Sequence, residues 1–210
     1  MNRREAIQRV AMLMGGVVIG SSLFLEGCSR TATKQIESLF EAKTTDLLGD
    51  LAEAILPKTS TPGAKEAGVG SFIPVMVRDC YTDEQQTVFM DGINNLDKKA
   101  QELTKKNFLD LSAEERTNFV NLLDKEANEF NKKQDEETKA EREKNAVKQN
   151  ELYRDVEEKA PHWFTLFKQL TLTGYFNSEL GLTKALRYVK IPGKFDGNYP
   201  YKKGDKAFAL

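Results

Sequence analysis

The segment PHWFTLFKQLTLTGYF, from Pro161 to Phe176, constrains the fold of this chain more than any other. His162, Trp163, Phe164, Leu166, Phe167, Leu170 and Leu172 fall on most sides of a 3.6-residue helix. A helix of that kind has no face to give to water, so other elements must surround it. Pro161 suits its first position, where a missing N–H removes no helical hydrogen bond.

The helices that could surround it are written upstream. Leu47, Leu48, Leu51, Ala52, Ile55 and Leu56 recur every three or four residues, and Pro57 stops the pattern. The stretch PKTSTPGAKEAGVG that follows is a loop, dense in Pro, Gly, Ser and Thr. Phe72, Val75, Met76 and Cys80 predict a short helix with Pro74 in its first turn. Thr82 with Gln85, and Ser112 with Glu115, have the spacing of capping boxes. The first heads a helix carrying Val88, Phe89, Ile93, Leu96, Ala100 and Leu103. The second heads one carrying Phe119, Val120, Leu122, Leu123, Ala127 and Phe130. No convincing run of alternating β-branched residues appears. The expected fold is all-α, an irregular bundle of about six helices.

Two regions depart from that pattern. Residues 131–159 lose nearly all apolar character and alternate acid with base, which predicts a solvated helical insert standing out from the body. After Ser178, the expected cap of a short helix reaching Tyr188, the tail IPGKFDGNYPYKKGDKAF is too rich in Gly and Pro for regular structure. Its Phe195, Tyr199 and Tyr201 imply that it packs on something. The single domain is expected to span 46–210, with 31–45 as a polar tether or a frayed first helix.

The chain begins MNRREAIQRVAMLMGGVVIGSSLFLEGCSR. Arg3 and Arg4 precede an apolar run of about sixteen residues, a length that suits a signal peptide better than a membrane span. The arginine pair suggests twin-arginine export, and LEGC resembles a bacterial lipobox, with Cys28 as the candidate lipid-modified residue. Cleaved, lipid-anchored or retained, residues 1–30 would put the remainder in the periplasm.

Composition excludes several classes. Lys+Arg 31 and Asp+Glu 32 nearly cancel, giving a formal charge of -1. That total gives no electrostatic case for nucleic acid or an anionic membrane, and no basic patch interleaved with aromatics stands out. Two cysteines and one histidine are too few for a zinc or iron–sulfur site, and no CxxCH is present. No phosphate loop, dinucleotide fingerprint or GxSxG elbow occurs. His162 reads as structural, and Cys80 as a buried small apolar side chain. No catalytic, cofactor-binding or metal residue is assigned.

The phrase LTLTGYFNSELGLTKALRYVKIPGKFDG resembles the carboxy-terminal signature of the gluconate 2-dehydrogenase subunit 3 family, carried here by Leu172, Gly174, Tyr175, Phe176, Ser178, Glu179, Gly181, Leu186, Tyr188, Pro192, Gly193, Phe195 and Gly197. LAEAILPKTSTPGAKEAGVGSFI, from Leu51 to Ile73, is similar to an earlier block of the same family. The resemblance implies an accessory subunit of a large GMC-type flavoprotein that oxidises sugars, sugar acids or glycosides in the periplasm. FAD is then expected on the partner, and a cytochrome c often takes the electrons. The small subunit supplies the export signal that its partner lacks. Tyr175, Phe176, Pro192, Gly193, Phe195, Tyr199 and Tyr201 are the expected contacts with that partner. A stand-alone periplasmic lipoprotein binding module is the alternative.

Overall fold

The computed structural model describes residues 34–148, 159–191, 193 and 197–209. Arg3, Arg4, Cys28, Pro192 and Phe195 lie outside them. Seven α-helices are present among the described residues, six of them substantial: α1 (Lys34–Glu37), α2 (Ala42–Ile55), α3 (Val69–Cys80), α4 (Asp83–Asn94), α5 (Leu96–Thr104), α6 (Ala113–Lys148) and α7 (Trp163–Asn177). The fold is helical, as the periodicity requires.

Helix α7 is the centre. Phe164, Leu166, Phe167, Leu170, Thr171, Gly174 and Tyr175 are all buried, and α2, α3, α4 and α6 pack around them. Phe167 stacks between Phe164 and Phe89 of α4, each ring pair 6.3 Å apart. A fully buried phenylalanine stabilises by roughly 1.5–3 kcal/mol, and Phe89, Phe164 and Phe167 are three of the five that are fully buried. Thr171, the one buried polar residue of this core among those described, donates its hydroxyl to the Phe167 carbonyl at 2.9 Å and so leaves no unpaired group.

Helices α2 and α3 cross at very close range. A Cβ placed on Gly70 would lie 2.4 Å from the Thr45 carbonyl oxygen and 2.9 Å from the Gly49 nitrogen. Backbone meets backbone there, and no side chain could move aside to admit a methyl group.

Both capping boxes form. Thr82 Oγ1 accepts from Gln85 N while Gln85 Oε1 accepts from Thr82 N. Ser112 and Glu115 make the same reciprocal pair at the head of α6.

Several local expectations need correction. The helix expected to run from Thr82 to Leu103 is two helices, because the chain turns at Asn95 (φ -94°, ψ 2°). Apolar spacing continues across the break and therefore hides it. Helix α3 starts at Val69, so Pro74 sits in its second turn and not its first. Pro161 precedes α7 by two residues, and His162 is the cap. Residues 34–41 are no tether: Ile36 and Leu39 are buried, which two apolar side chains in a polar stretch were enough to achieve. Cys80 is exposed. Its angular position matches Ile73 and Val77, but it is the last residue of α3.

Of the acid–base stretch expected to form a helical insert over 131–159, residues 131–148 continue α6 to Lys148, and residues 149–158 lie outside the described residues. Ser178 heads a five-residue π-helical turn, Gly181–Ala185, and the segment expected to continue as helix to Tyr188 turns extended at Leu186. A Cβ on Gly181 would fall 1.8 Å from the Tyr175 carbonyl oxygen, so the turn requires glycine. The tail has regular structure after all, though little: β1 (Arg187–Tyr188) pairs in parallel with β2 (Phe208–Ala209).

Substituting Gly70→Ala should destabilise the domain by about 2 kcal/mol or more, read as a lower urea midpoint with an unchanged slope. A midpoint equal to that of the parent would show that α2 and α3 do not rely on this close approach.

Candidate functional site

The two motif blocks, more than a hundred residues apart in the chain, meet in space. Tyr175 at the end of α7 donates its hydroxyl to the Pro62 carbonyl at 2.8 Å. The loop that holds Pro62 is itself organised by one carboxylate. Glu53 of α2 accepts from the Lys58 N–H at 2.8 Å through one oxygen and from the Lys65 N–H at 2.9 Å through the other. The Ala64 N–H then closes the loop on the Leu56 carbonyl. Glu53 was not singled out in the sequence, because nothing in the spacing of a surface glutamate announces two backbone donors downstream.

This geometry divides the expected contact residues. Tyr175 is 4% exposed and committed to Pro62. Its hydroxyl fixes the end of α7 to the loop. Phe176 points the other way and is 37% exposed, edge-on to Tyr175. Gly193 is exposed. Tyr199 and Tyr201 are exposed, and so are Tyr188, Val189, Ile191 and Phe208, which were not proposed.

Arg187 organises the part of the tail described here. Its guanidinium lies 4.9 Å from the Phe208 ring centre and 5.7 Å from that of Tyr199. Its Nη1 donates to the Tyr199 hydroxyl at 2.8 Å, and the two rings meet edge-on at 5.3 Å. Its backbone N–H donates to the Ala207 carbonyl at 2.8 Å. A two-residue strand pair is marginal by itself, so this cation–aromatic unit is what holds the returning tail. The tail aromatics thus pack largely on one another, leaving their outer faces open.

The tail is also a basic patch interleaved with aromatics, which the whole-chain charge concealed. Residues 184–210 hold seven basic and two acidic residues, whereas residues 34–183 hold twenty basic and twenty-eight acidic ones.

The groups considered for chemistry have structural places. His162 Nδ1 accepts from the Phe164 N–H at 3.3 Å and caps α7. The His162 N–H donates to Asn131 Oδ1 at 3.0 Å, while Asn131 Nδ2 donates to Thr165 Oγ1 at 2.8 Å. Asn131 therefore clamps the start of α7 onto α6, a role its place at the edge of a charged run did not advertise. Burial between the Phe130 and Trp163 rings pushes the His162 pKa below the ordinary 6.5. Glu126 opposes that shift and Lys99 adds to it.

An open polar hollow of about 600 Å³ lies between α6 and residues 159–161, with Asp135, Lys139 and Lys159 on its rim. Among the described residues no group of three or more His, Cys, Asp or Glu is placed to hold a metal ion, and no helix is long and apolar enough to cross a membrane.

The family model described as Gluconate 2-dehydrogenase subunit 3 matches residues 42–193. The chain belongs to the gluconate 2-dehydrogenase subunit 3 family. The match takes in α2 to α7, the Glu53-organised loop and the turn at Gly181. No curated protein and no solved structure gives a match. In this member of the gluconate 2-dehydrogenase subunit 3 family, the segment that supplies Tyr199, Tyr201 and Phe208 lies beyond the matched residues.

His162 gives a pH dependence with a definite sign. Its folded pKa lies below its unfolded value, so the unfolded chain binds the extra proton first. The stability it contributes is present above about pH 6.5 and lost as pH falls towards the folded pKa. The thermal midpoint should therefore drop between about pH 7 and pH 5, and His162→Asn, which can cap without titrating, should flatten that drop. An equal drop in both proteins would remove His162 as its source.

Proposed function

We propose that this chain is the non-catalytic small subunit and export escort of an FAD-dependent, GMC-type dehydrogenase that oxidises a sugar, sugar acid or glycoside in the periplasm. One observation carries the reading: the family match over residues 42–193 covers a helical scaffold in which motif residues such as Tyr175 and Gly181 have structural places. The chemistry of a dehydrogenase complex then falls to another chain, which holds the FAD, with a cytochrome c as the electron acceptor.

The leader completes the argument. Twin-arginine export carries folded proteins, and a chain with no cofactor motif of its own has reason to travel folded when its companion already holds FAD. Arg3 and Arg4 would direct both chains, and Cys28 would anchor the complex through lipid once the leader is removed.

Purification of the tagged chain from its native cell should bring down a yellow flavoprotein in fixed ratio. Changing Arg3→Lys and Arg4→Lys together should leave that flavoprotein's sugar-oxidising activity in the cytoplasmic fraction. A lone monomer on purification would favour a stand-alone lipoprotein module, and normal periplasmic activity with both arginines changed would remove the escort role.

A further inference from the structure

We infer that the carboxy-terminal tail docks onto an acidic face of the catalytic subunit, with its lysines meeting carboxylates and its exposed apolar side chains, Ile191 and Tyr201 among them, covered by the partner. This inference rests on the reading of the chain as a small subunit and specifies what its partner presents.

Charge segregation is the first support. The tail from residue 184 has a net charge of +5 and the body from 34 to 183 a net charge of −8. Lys184, Lys190, Lys202, Lys203 and Lys206 are all exposed. Among the described residues, none of their ammonium groups forms an ion pair. Body lysines do find partners: Lys65 with Asp50, Lys99 with Glu126, Lys168 with Asp124. Lys206 Nζ donates to the Lys184 carbonyl, but among the described residues no carboxylate neutralises the five tail lysine charges. Arg187 is the exception that organises the rest, since its guanidinium is taken up by Tyr199 and Phe208.

The apolar content is the second support. Ile191 is 79% exposed and Tyr201 75%. Isolated exposed apolar residues are ordinary, but these two stand in a segment that also exposes Tyr188, Val189 and Tyr199. Aromatic anchors with a polar, charged rim are the composition of a protein interface.

Basic residues among aromatics also suit an anionic lipid surface. The fold argues against that occupant. The chain enters the body at the end of α3, where the Arg78 guanidinium lies 5.0 Å from the Phe40 ring centre. Tyr81, just after α3, donates to the Leu166 carbonyl near the start of α7. The tail leaves from the other end of α7, after Asn177, roughly 16 Å further along the helix at 1.5 Å per residue. An acidic body of net charge −8 would be repelled by an extended anionic lipid surface, whereas a protein face can confine its carboxylates to the part that meets the tail.

The test uses the full chain co-produced with the flavoprotein it purifies with. Flavoprotein retained on the immobilised small subunit is measured from about 50 to 500 mM NaCl, a range over which screening of exposed charges becomes severe. Retention by the parent should fall several-fold across that range. Lys190→Glu, Lys202→Glu and Lys203→Glu together should cut retention at low salt by tenfold or more and flatten the salt dependence, with an unchanged thermal midpoint. Lys132→Glu with Lys133→Glu on the exposed side of α6 should do neither. Equal retention by the triple variant and the parent at every salt concentration would overturn the acidic-face inference while leaving the subunit reading intact. Unchanged flavoprotein retention with lost sedimentation on phosphatidylglycerol vesicles would overturn it in favour of the membrane. No flavoprotein on the parent itself would take down the subunit reading, and this inference with it.

Discussion

Burial of α7 is the condition on which the rest of the molecule depends. A helix apolar on most of its circumference can exist in water only if it is enclosed, and four helices are spent enclosing it. The enclosure is tight where it must be: α2 and α3 approach until only glycine fits at position 70. Both ends of α7 are then fixed by polar groups. His162 and Asn131 hold the start, and Tyr175 with the Glu53-organised loop holds the finish. The part-buried contacts of His162, Asn131 and Tyr175 satisfy groups that enclosure would otherwise shield from water.

That arrangement gives several motif residues structural places. Gly181, Tyr175 and the loop around Pro62 form a corner at which α7 ends and the chain is turned outward. What lies beyond the corner is different in kind: exposed, basic, aromatic and held together chiefly by Arg187. The family match covers the corner and stops near the point where the tail begins to fold back.

Much of this was legible in the sequence because some patterns have a single physical solution. The apolar run of α7 could not be anything but a central helix, and the reciprocal spacing of Thr82 with Gln85 left little choice of helix start. Other features were not legible. The turn at Asn95 preserves the apolar period on either side, so periodicity cannot detect it. Exposure of Cys80 depends on its being the last residue of α3, which a helical wheel does not record. Glu53 and Asn131 act on backbone and side-chain groups far along the chain, and no local spacing encodes such contacts. The basic tail was hidden by averaging, since an acidic body cancels it in the total. Phe195 and Pro192, and the leader residues Arg3, Arg4 and Cys28, fall outside the described residues, so their expected roles rest on sequence alone.

The most direct test of the central claim, that the helical body is a scaffold and the tail is its working surface, is amide hydrogen exchange on this chain free and bound to the flavoprotein proposed as its partner. Complex formation should add protection across residues 187–209 and leave α2, α3 and α7, already slow to exchange, unchanged. New protection confined to the helical body, with the tail exchanging as fast as in the free chain, would contradict the account.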